Sequence, residues 1–255
     1  MSLKNKWALI LGASSGFGRA CAKELADQGM NICGVHLDRK ATLPQVETLI
    51  QELENKKVQV KFFNINAGDP EKRKEVMAHM QGSFVKVFLH SLAFGSLKPF
   101  FSEDSINASQ MNMTLDIMAH SLVYWTQDLF KAQLIGRGSK IFAMTSAGGE
   151  RVWESYGAVS SAKAALESHI RQIALELAPH GISANALRAG VTDTPALRKI
   201  PGHEHMIEDC KKKNPGKRLT TPEDIACHLT ALSMPDNAWL TGNVIGIDGG
   251  ENNTG

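Results

Sequence analysis

The sequence is poor in most features that mark a special environment. Its four cysteines (Cys21, Cys33, Cys210, Cys227) form no Cys-x-x-Cys pair and show no histidine spacing of a zinc site, which excludes a disulfide scaffold and a zinc module. No apolar run approaches the roughly 18 residues of a membrane span, and the stretch from Met1 to Gly12 makes a poor signal peptide. Charge is nearly balanced, 28 Lys+Arg against 26 Asp+Glu for a net +2, which argues against a general nucleic-acid binder and a disordered tail. Tyrosine is scarcer than cysteine, with only Tyr124 and Tyr156. What remains is 255 residues, 43% hydrophobic, enough to bury a full core without disulfides or structural metal. The expectation is a reduced, soluble, cytoplasmic protein with no metal, nucleic-acid partner or membrane attachment.

What is present is an alternation. Short apolar runs at Trp7–Leu11, Asn31–Val35, Val58–Phe63, Val85–His90, Lys140–Thr145, Ile182–Leu187 and Val244–Ile247 are separated by longer helical patterns. Most are unbroken rather than alternating, as in strands covered on both faces. Helix starts are signalled by Asp69-Pro70, by Thr42 with Gln45 as a capping box, and by Thr221-Pro222-Glu223-Asp224. The pattern predicts α/β architecture: one Rossmann-like domain over residues 1–255, with a doubly wound parallel sheet of about seven strands and helices on both faces. The stretch Thr194–Thr221, rich in Pro, Gly, His and Lys, breaks the alternation and predicts a mobile loop holding a short helix.

The first strand runs into Gly12-Ala13-Ser14-Ser15-Gly16-Phe17-Gly18, and a helical pattern follows from Arg19 to Gln28. Gly12 permits a sharp turn off the strand, Gly16 a close backbone approach to a pyrophosphate, and Gly18 close helix–sheet packing. The helix N-terminus then faces the phosphate charge with free N–H groups. The position between first strand and first helix is the context that dinucleotide binding requires.

The G-x-x-x-G-x-G spacing resembles the short-chain dehydrogenase/reductase family, and the resemblance extends over nearly the whole chain. Asn64-Ile65 falls where that family lines the adenine. Ala189-Gly190-Val191-Thr192-Asp193-Thr194 resembles its Pro-Gly-x-x-x-Thr segment, and Gly242–Gly250 its last strand and turn. The resemblance implies cofactor contacts from Gly12, Ser14, Ser15, Gly16, Phe17, Gly18, His36, Asn64, Ile65, Ser91, Leu92, Ala93, Lys163, Gly190, Thr192 and Thr194. In this family the residue ending the second strand selects the cofactor: an acid there bonds the ribose hydroxyls, and a nearby base accommodates a 2′-phosphate. That position is His36, followed by Asp38-Arg39-Lys40. Arg39 and Lys40 would grip a phosphate, whereas Asp38 would accept from ribose hydroxyls. The reading leans to NADP(H), with NAD(H) open.

The segment from Trp153 to Ala178 reads as one long helix carrying Tyr156 and Lys163. Seven residues are close to two helical turns, so the two side chains share a face about 10 Å apart along the axis. Ordinary family members place tyrosine four residues before lysine, where this chain has Val159, which transfers no proton. The longer spacing is similar to that of the enoyl-acyl carrier protein reductases, as are His90-Ser91-Leu92-Ala93-Phe94 and Gly148-Gly149-Glu150-Arg151. With an ordinary glycine loop, the combination looks most like the third bacterial type of that enzyme. Ser146 stands where the commonest enoyl reductases carry a second tyrosine, and Met118 where ordinary members carry a relay asparagine. A carbonyl reductase places its acid beside the carbon that receives hydride. An enoyl thioester receives hydride at C3, while charge develops two carbons away on the thioester oxygen. A tyrosine one turn earlier suits that displaced oxygen. The resemblance implies that Tyr156 stabilises the enolate, that Lys163 binds the nicotinamide ribose, and that Ser146 orients the carbonyl or the tyrosine.

Residues 194–219 are the expected substrate-binding loop, with Pro195, Ala196, Leu197, Ile200 and Met206 lining an apolar channel. Arg198, Lys199, Lys211, Lys212, Lys213, Lys217 and Arg218 make it basic, a surface suited to an acidic acyl carrier protein; a solvated charge run explains the same residues. His203 and His205 lack further ligands, and His90 is the one histidine in a motif expected near the cofactor. The expected function is NAD(P)H-dependent reduction of the 2,3 double bond of an enoyl thioester, on carrier protein or CoA, in fatty-acid biosynthesis. The alternatives are a carbonyl or alcohol oxidoreductase with an atypical proton donor, and a non-catalytic nucleotide-binding protein. The family resemblance implies a homotetramer.

Overall fold

The computed structural model describes residues 2–254. Its strands are β1 (Trp7–Leu11), β2 (Asn31–His36), β3 (Val60–Asn64), β4 (Val85–His90), β5 (Lys140–Ser146), β6 (Ser183–Ala189) and β7 (Val244–Ile247). The helices are α1 (Gly16–Asp27), α2 (Leu43–Glu54), α3 (Pro70–His79), α4 (Ala108–Leu115), α5 (Ser121–Lys131), α6 (Gly157–Leu177), α7 (His203–Lys213) and α8 (Pro222–Ser233). The seven strands form one sheet in the order β3-β2-β1-β4-β5-β6-β7, and every pairing is parallel. Parallel neighbours need a crossover between them, which the helices supply.

The unbroken apolar runs are explained by two cores, one on each face. Leu9 and Leu11 of β1 pack with Phe88, Trp125, Ile141 and Leu166. Ala8 and Ile10 of the same strand point the other way and pack with Leu25, Ile32, Phe142 and Leu229. β3, at the sheet edge, is only half-buried.

The helix-start signals fared unequally. Asp69 accepts from the N–H groups of Glu71 and Lys72, and Thr221 with Asp224 forms a reciprocal capping box. Thr42 does precede α2, but its hydroxyl donates to Asp38 Oδ1 (2.7 Å) and to the Arg39 carbonyl (3.0 Å), so it caps nothing. A carboxylate four residues earlier outcompetes the helix N–H groups. The helix placed at Trp153 starts later, at Gly157, and Tyr156 is its N-cap residue. The irregular stretch 194–221 holds a 3-10 turn (Leu197–Lys199) and α7.

β1 lies between β2 and β4, so the chain reverses direction across the sheet there. A crevice opens at the carboxyl ends of the strands at such a point. At the opposite end of the sheet, Lys86 of β4 is fully buried, with Nζ 2.6 Å from the Gly138 carbonyl and 2.8 Å from Asp236 Oδ1.

Candidate active site

The crevice is bounded by the turn after β1. Gly12 has φ +83°, a left-handed conformation that strains other residues; a side chain there would collide with the Ser91 carbonyl. Gly18 faces the Gly12 carbonyl so closely that a Cβ cannot fit either. Ser15 precedes α1 without a side-chain cap bond, so the first N–H groups of α1 remain available to an anion. A tight glycine turn under an uncapped helix start fits the pyrophosphate of a dinucleotide.

A cavity extends from this turn along the ends of β4, β5 and β6. Phe17, Ser91, Leu92 and Ala93 line one part, and Gly190, Thr192 and Thr194 another. Deeper lie Ser146, Tyr156 and Lys163, and the apolar walls include Leu97, Met118, Trp153, Val159, Leu197, Ile200 and Met206.

The three expected catalytic side chains are therefore brought together. Ser146 ends β5, Tyr156 caps α6, and Lys163 lies two turns along it, buried, with Nζ 2.7 Å from the Met144 carbonyl. Burial lowers the Lys163 ammonium to about 8, opposed by attraction to Glu167. Burial raises the Tyr156 phenol, and a hydrogen bond from Ser146 partly offsets it. Gly148 lies against the Tyr156 ring, where a Cβ would approach ring carbon Cε1 within 2.5 Å. A protonated phenol and a buried ammonium lining one cavity form an arrangement that can stabilise a developing oxyanion.

A family model described as enoyl-(acyl carrier protein) reductase matches residues 12–252. The chain belongs to that family, a branch of the short-chain dehydrogenases/reductases. It is 29% identical over 253 residues, covering 97% of this chain and 92% of the relative, to an NADH-dependent enoyl-acyl carrier protein reductase of Aquifex aeolicus. A 1-cyclohexenylcarbonyl-CoA reductase of Streptomyces collinus is 30% identical over 256 residues, covering 95% of this chain and 85% of that one. The crystal structure of the Aquifex aeolicus reductase superposes with a TM-score of 0.83 at 25% identity, over 98% of this chain and 97% of that one. This reductase-family chain is accordingly an oxidoreductase with a nicotinamide cofactor site. No helix among the described residues is long and apolar enough to cross a membrane.

Several expected residues make contacts within the fold. His90 does not line the cavity; it is fully buried, with Nε2 2.8 Å from Ser121 Oγ. Burial, aided by the Lys163 charge, lowers it to about 3 and keeps the imidazole neutral. Asn64 spends its side chain on the turn after β2, with Oδ1 accepting from Asp38 N (2.9 Å) and Nδ2 donating to its carbonyl (3.0 Å). Ile65 packs on the core. His36 is buried with Nδ1 3.0 Å from Asp38 Oδ2. Partial burial raises the Asp38 carboxyl, but hydrogen bonds with Ser14, Thr42 and His36 outweigh it and hold the group below its ordinary range. The Ser14 contact places that carboxylate beside the glycine turn. Arg39 and Lys40 are exposed. Of the loop residues, Ala196, Leu197, Ile200 and Met206 reach the cavity, and Pro195 does not. Arg198 is paired bidentately with Asp193 and Arg218 with Asp224, so two of the seven basic groups are already neutralised.

Glu251 escaped the sequence reading. It lines the cavity, and its Oε2 accepts from Val191 N (3.0 Å) and Cys210 Sγ (2.9 Å), tying the C-terminal turn to the loop after β6 and to α7. Its position directly after the Asp248-Gly249-Gly250 turn was the available signal.

Proposed function

We propose that the protein reduces the 2,3 double bond of an enoyl thioester, with NADH as hydride donor. The observation that carries this is the displacement of the acid. Val159 occupies the cavity wall one turn before Lys163, and Tyr156 stands at the start of α6 beside Ser146. Bound in the crevice, the reduced nicotinamide supplies a hydride. The chain's own residues handle the charge. Tyr156 donates a hydrogen bond to the thioester oxygen, Ser146 holds the phenol in place, and Lys163 binds ribose hydroxyls and keeps the local potential positive. The apolar walls from Leu97 to Met206 suit an acyl chain.

NADH replaces the NADPH expected from Arg39 and Lys40, because a 2′-phosphate near Ser14 would face the ionised Asp38 carboxylate. For the carrier, Lys211, Lys212 and Lys213 at the end of α7, with Lys217, form a basic surface that suits an acidic carrier protein. A homotetramer is supported by the outer edge of β7 and by Trp239, Leu240 and Leu175, all exposed. Fatty-acid elongation is the pathway in which such a reductase acts.

Purified protein with crotonyl thioesters of CoA and of carrier protein, assayed with NADH and NADPH, tests the reading. Turnover with NADH on the thioesters is expected, and Asp38→Ser should narrow the preference over NADPH by about tenfold. Reduction of simple ketones without reduction of the thioesters would overturn it.

A further inference from the structure

Glu167 is a buried carboxylate that the proposed reaction does not use. It lies on α6 one helical turn beyond Lys163, on the same face. Its Oε1 accepts a 2.6 Å hydrogen bond from Thr145 Oγ1, and no basic side chain lies within ion-pairing distance among the described residues. Gly149 closes over it, since a Cβ there would come within 2.9 Å of Oε1. Lys163 and Glu167 thus anchor α6 to adjacent residues of β5: the ammonium to the Met144 carbonyl, the carboxylate to Thr145, the residue before Ser146.

A buried carboxylate without a contacting cation is costly, and attraction to a charge one helical turn away is strong where water is excluded. We propose that Glu167 is a positioning residue for Lys163, keeping the buried ammonium charged and aimed at the cofactor ribose while tethering the end of β5. This rests on Lys163 as the ribose-binding group.

The elements packed on α6 carry other titratable groups. β4 brings neutral His90, β6 brings Arg188 paired with Glu150 at 3.3 Å, and the turn after β5 brings exposed Arg151. The π-helical turn Asp116–His120 brings Asp116 and His120, the latter 3.0 Å from His169 of α6 itself. Lys140 sits at the far end of β5, and Tyr156 is uncharged. Among them Glu167 is the group whose attraction raises Lys163 against the effect of burial.

The test is Glu167→Gln in the full chain, with NADH affinity read by nucleotide fluorescence between about pH 6 and 9. In the unsubstituted protein affinity falls as Lys163 deprotonates. Glu167→Gln should move that alkaline fall downward by about one pH unit, Thr145→Val by less than half as much, and Glu167→Asp should restore most of it. A uniform loss of affinity at every pH, or an unmoved alkaline fall, would mean a purely structural role and overturn the proposal. If Glu167→Gln does not fold, an unmoved fall in Thr145→Val overturns it equally. The readout needs no acyl substrate, so an enzyme that binds NADH in this way yet leaves enoyl thioesters untouched would overturn the proposed reaction alone.

Discussion

Lys86 and Lys163 are both buried, at opposite ends of the same sheet, and they are satisfied to different degrees. Lys86 has an ion pair with Asp236 and carbonyl partners at Gly138 and Pro235, so its three donors are spoken for inside the fold. Lys163 has a single carbonyl, that of Met144, and its carboxylate lies a helical turn away. An ammonium with three donors and one partner has capacity left for a ligand. The completed lysine pins the loop before β7 to the bottom of the sheet. The incomplete one faces the cavity with Tyr156 and Ser146. Degree of internal satisfaction, more than burial itself, separates a charge completed within the fold from one left free to take a ligand.

The two lysines should differ most in their effect on activity. Lys163→Met should lower turnover by about 10³-fold with a smaller loss of thermal midpoint than Lys86→Met, because Lys163 makes no direct ion pair; a collapse of the fold would place Lys163 in the same class as Lys86. Tyr156→Phe should cost about 10²-fold in turnover with little change in NADH affinity, measured by steady-state kinetics beside nucleotide titration. Lys86→Met should do the reverse. Denaturant melts should show a loss of about 2 kcal/mol, with turnover at permissive temperature unchanged; an activity loss larger than the stability loss explains would contradict the assignment.

The smallest expected effect is a dependence of stability on pH. Burial holds the folded Lys163 near 8, below its ordinary 10.5. Between these values the unfolded chain keeps a proton that the folded chain has released, so this group's contribution to stability rises with pH. With Lys163 in its proposed role, activity needs the ammonium and is expected to fall over the same window. Melts and turnover across the range should therefore diverge, and Lys163→Met should flatten the rising part of the stability profile, leaving the share that burial of Lys140 contributes.

Much of the architecture was legible along the chain. Seven apolar runs became seven strands, because a parallel strand buried on both faces needs apolar residues at nearly every position, a signal independent of distant contacts. The glycine turn was legible for the same local reason. Thr42 was not, since its choice between capping α2 and bonding Asp38 depends on how the turn after β2 folds back. How Asp38 is held was not legible either, since Ser14, Thr42 and His36 gather around its carboxylate only in the fold. His90 looked functional by its neighbours in sequence, but its ring is enclosed with Ser121.

The order and type of the elements, the glycine turn after β1, and the seven-residue spacing from Tyr156 to Lys163 with Val159 between them are all written locally in the chain. These are properties of period, backbone freedom and spacing, which act over a few residues. Which charges are complete depends on the folded chain. Lys86 finds Asp236 150 residues away, Thr145 reaches Glu167 across 22, and Glu251 bridges Val191 and Cys210. Such partnerships depend on distances in the folded chain, where low dielectric and exclusion of water make a few ångströms decisive.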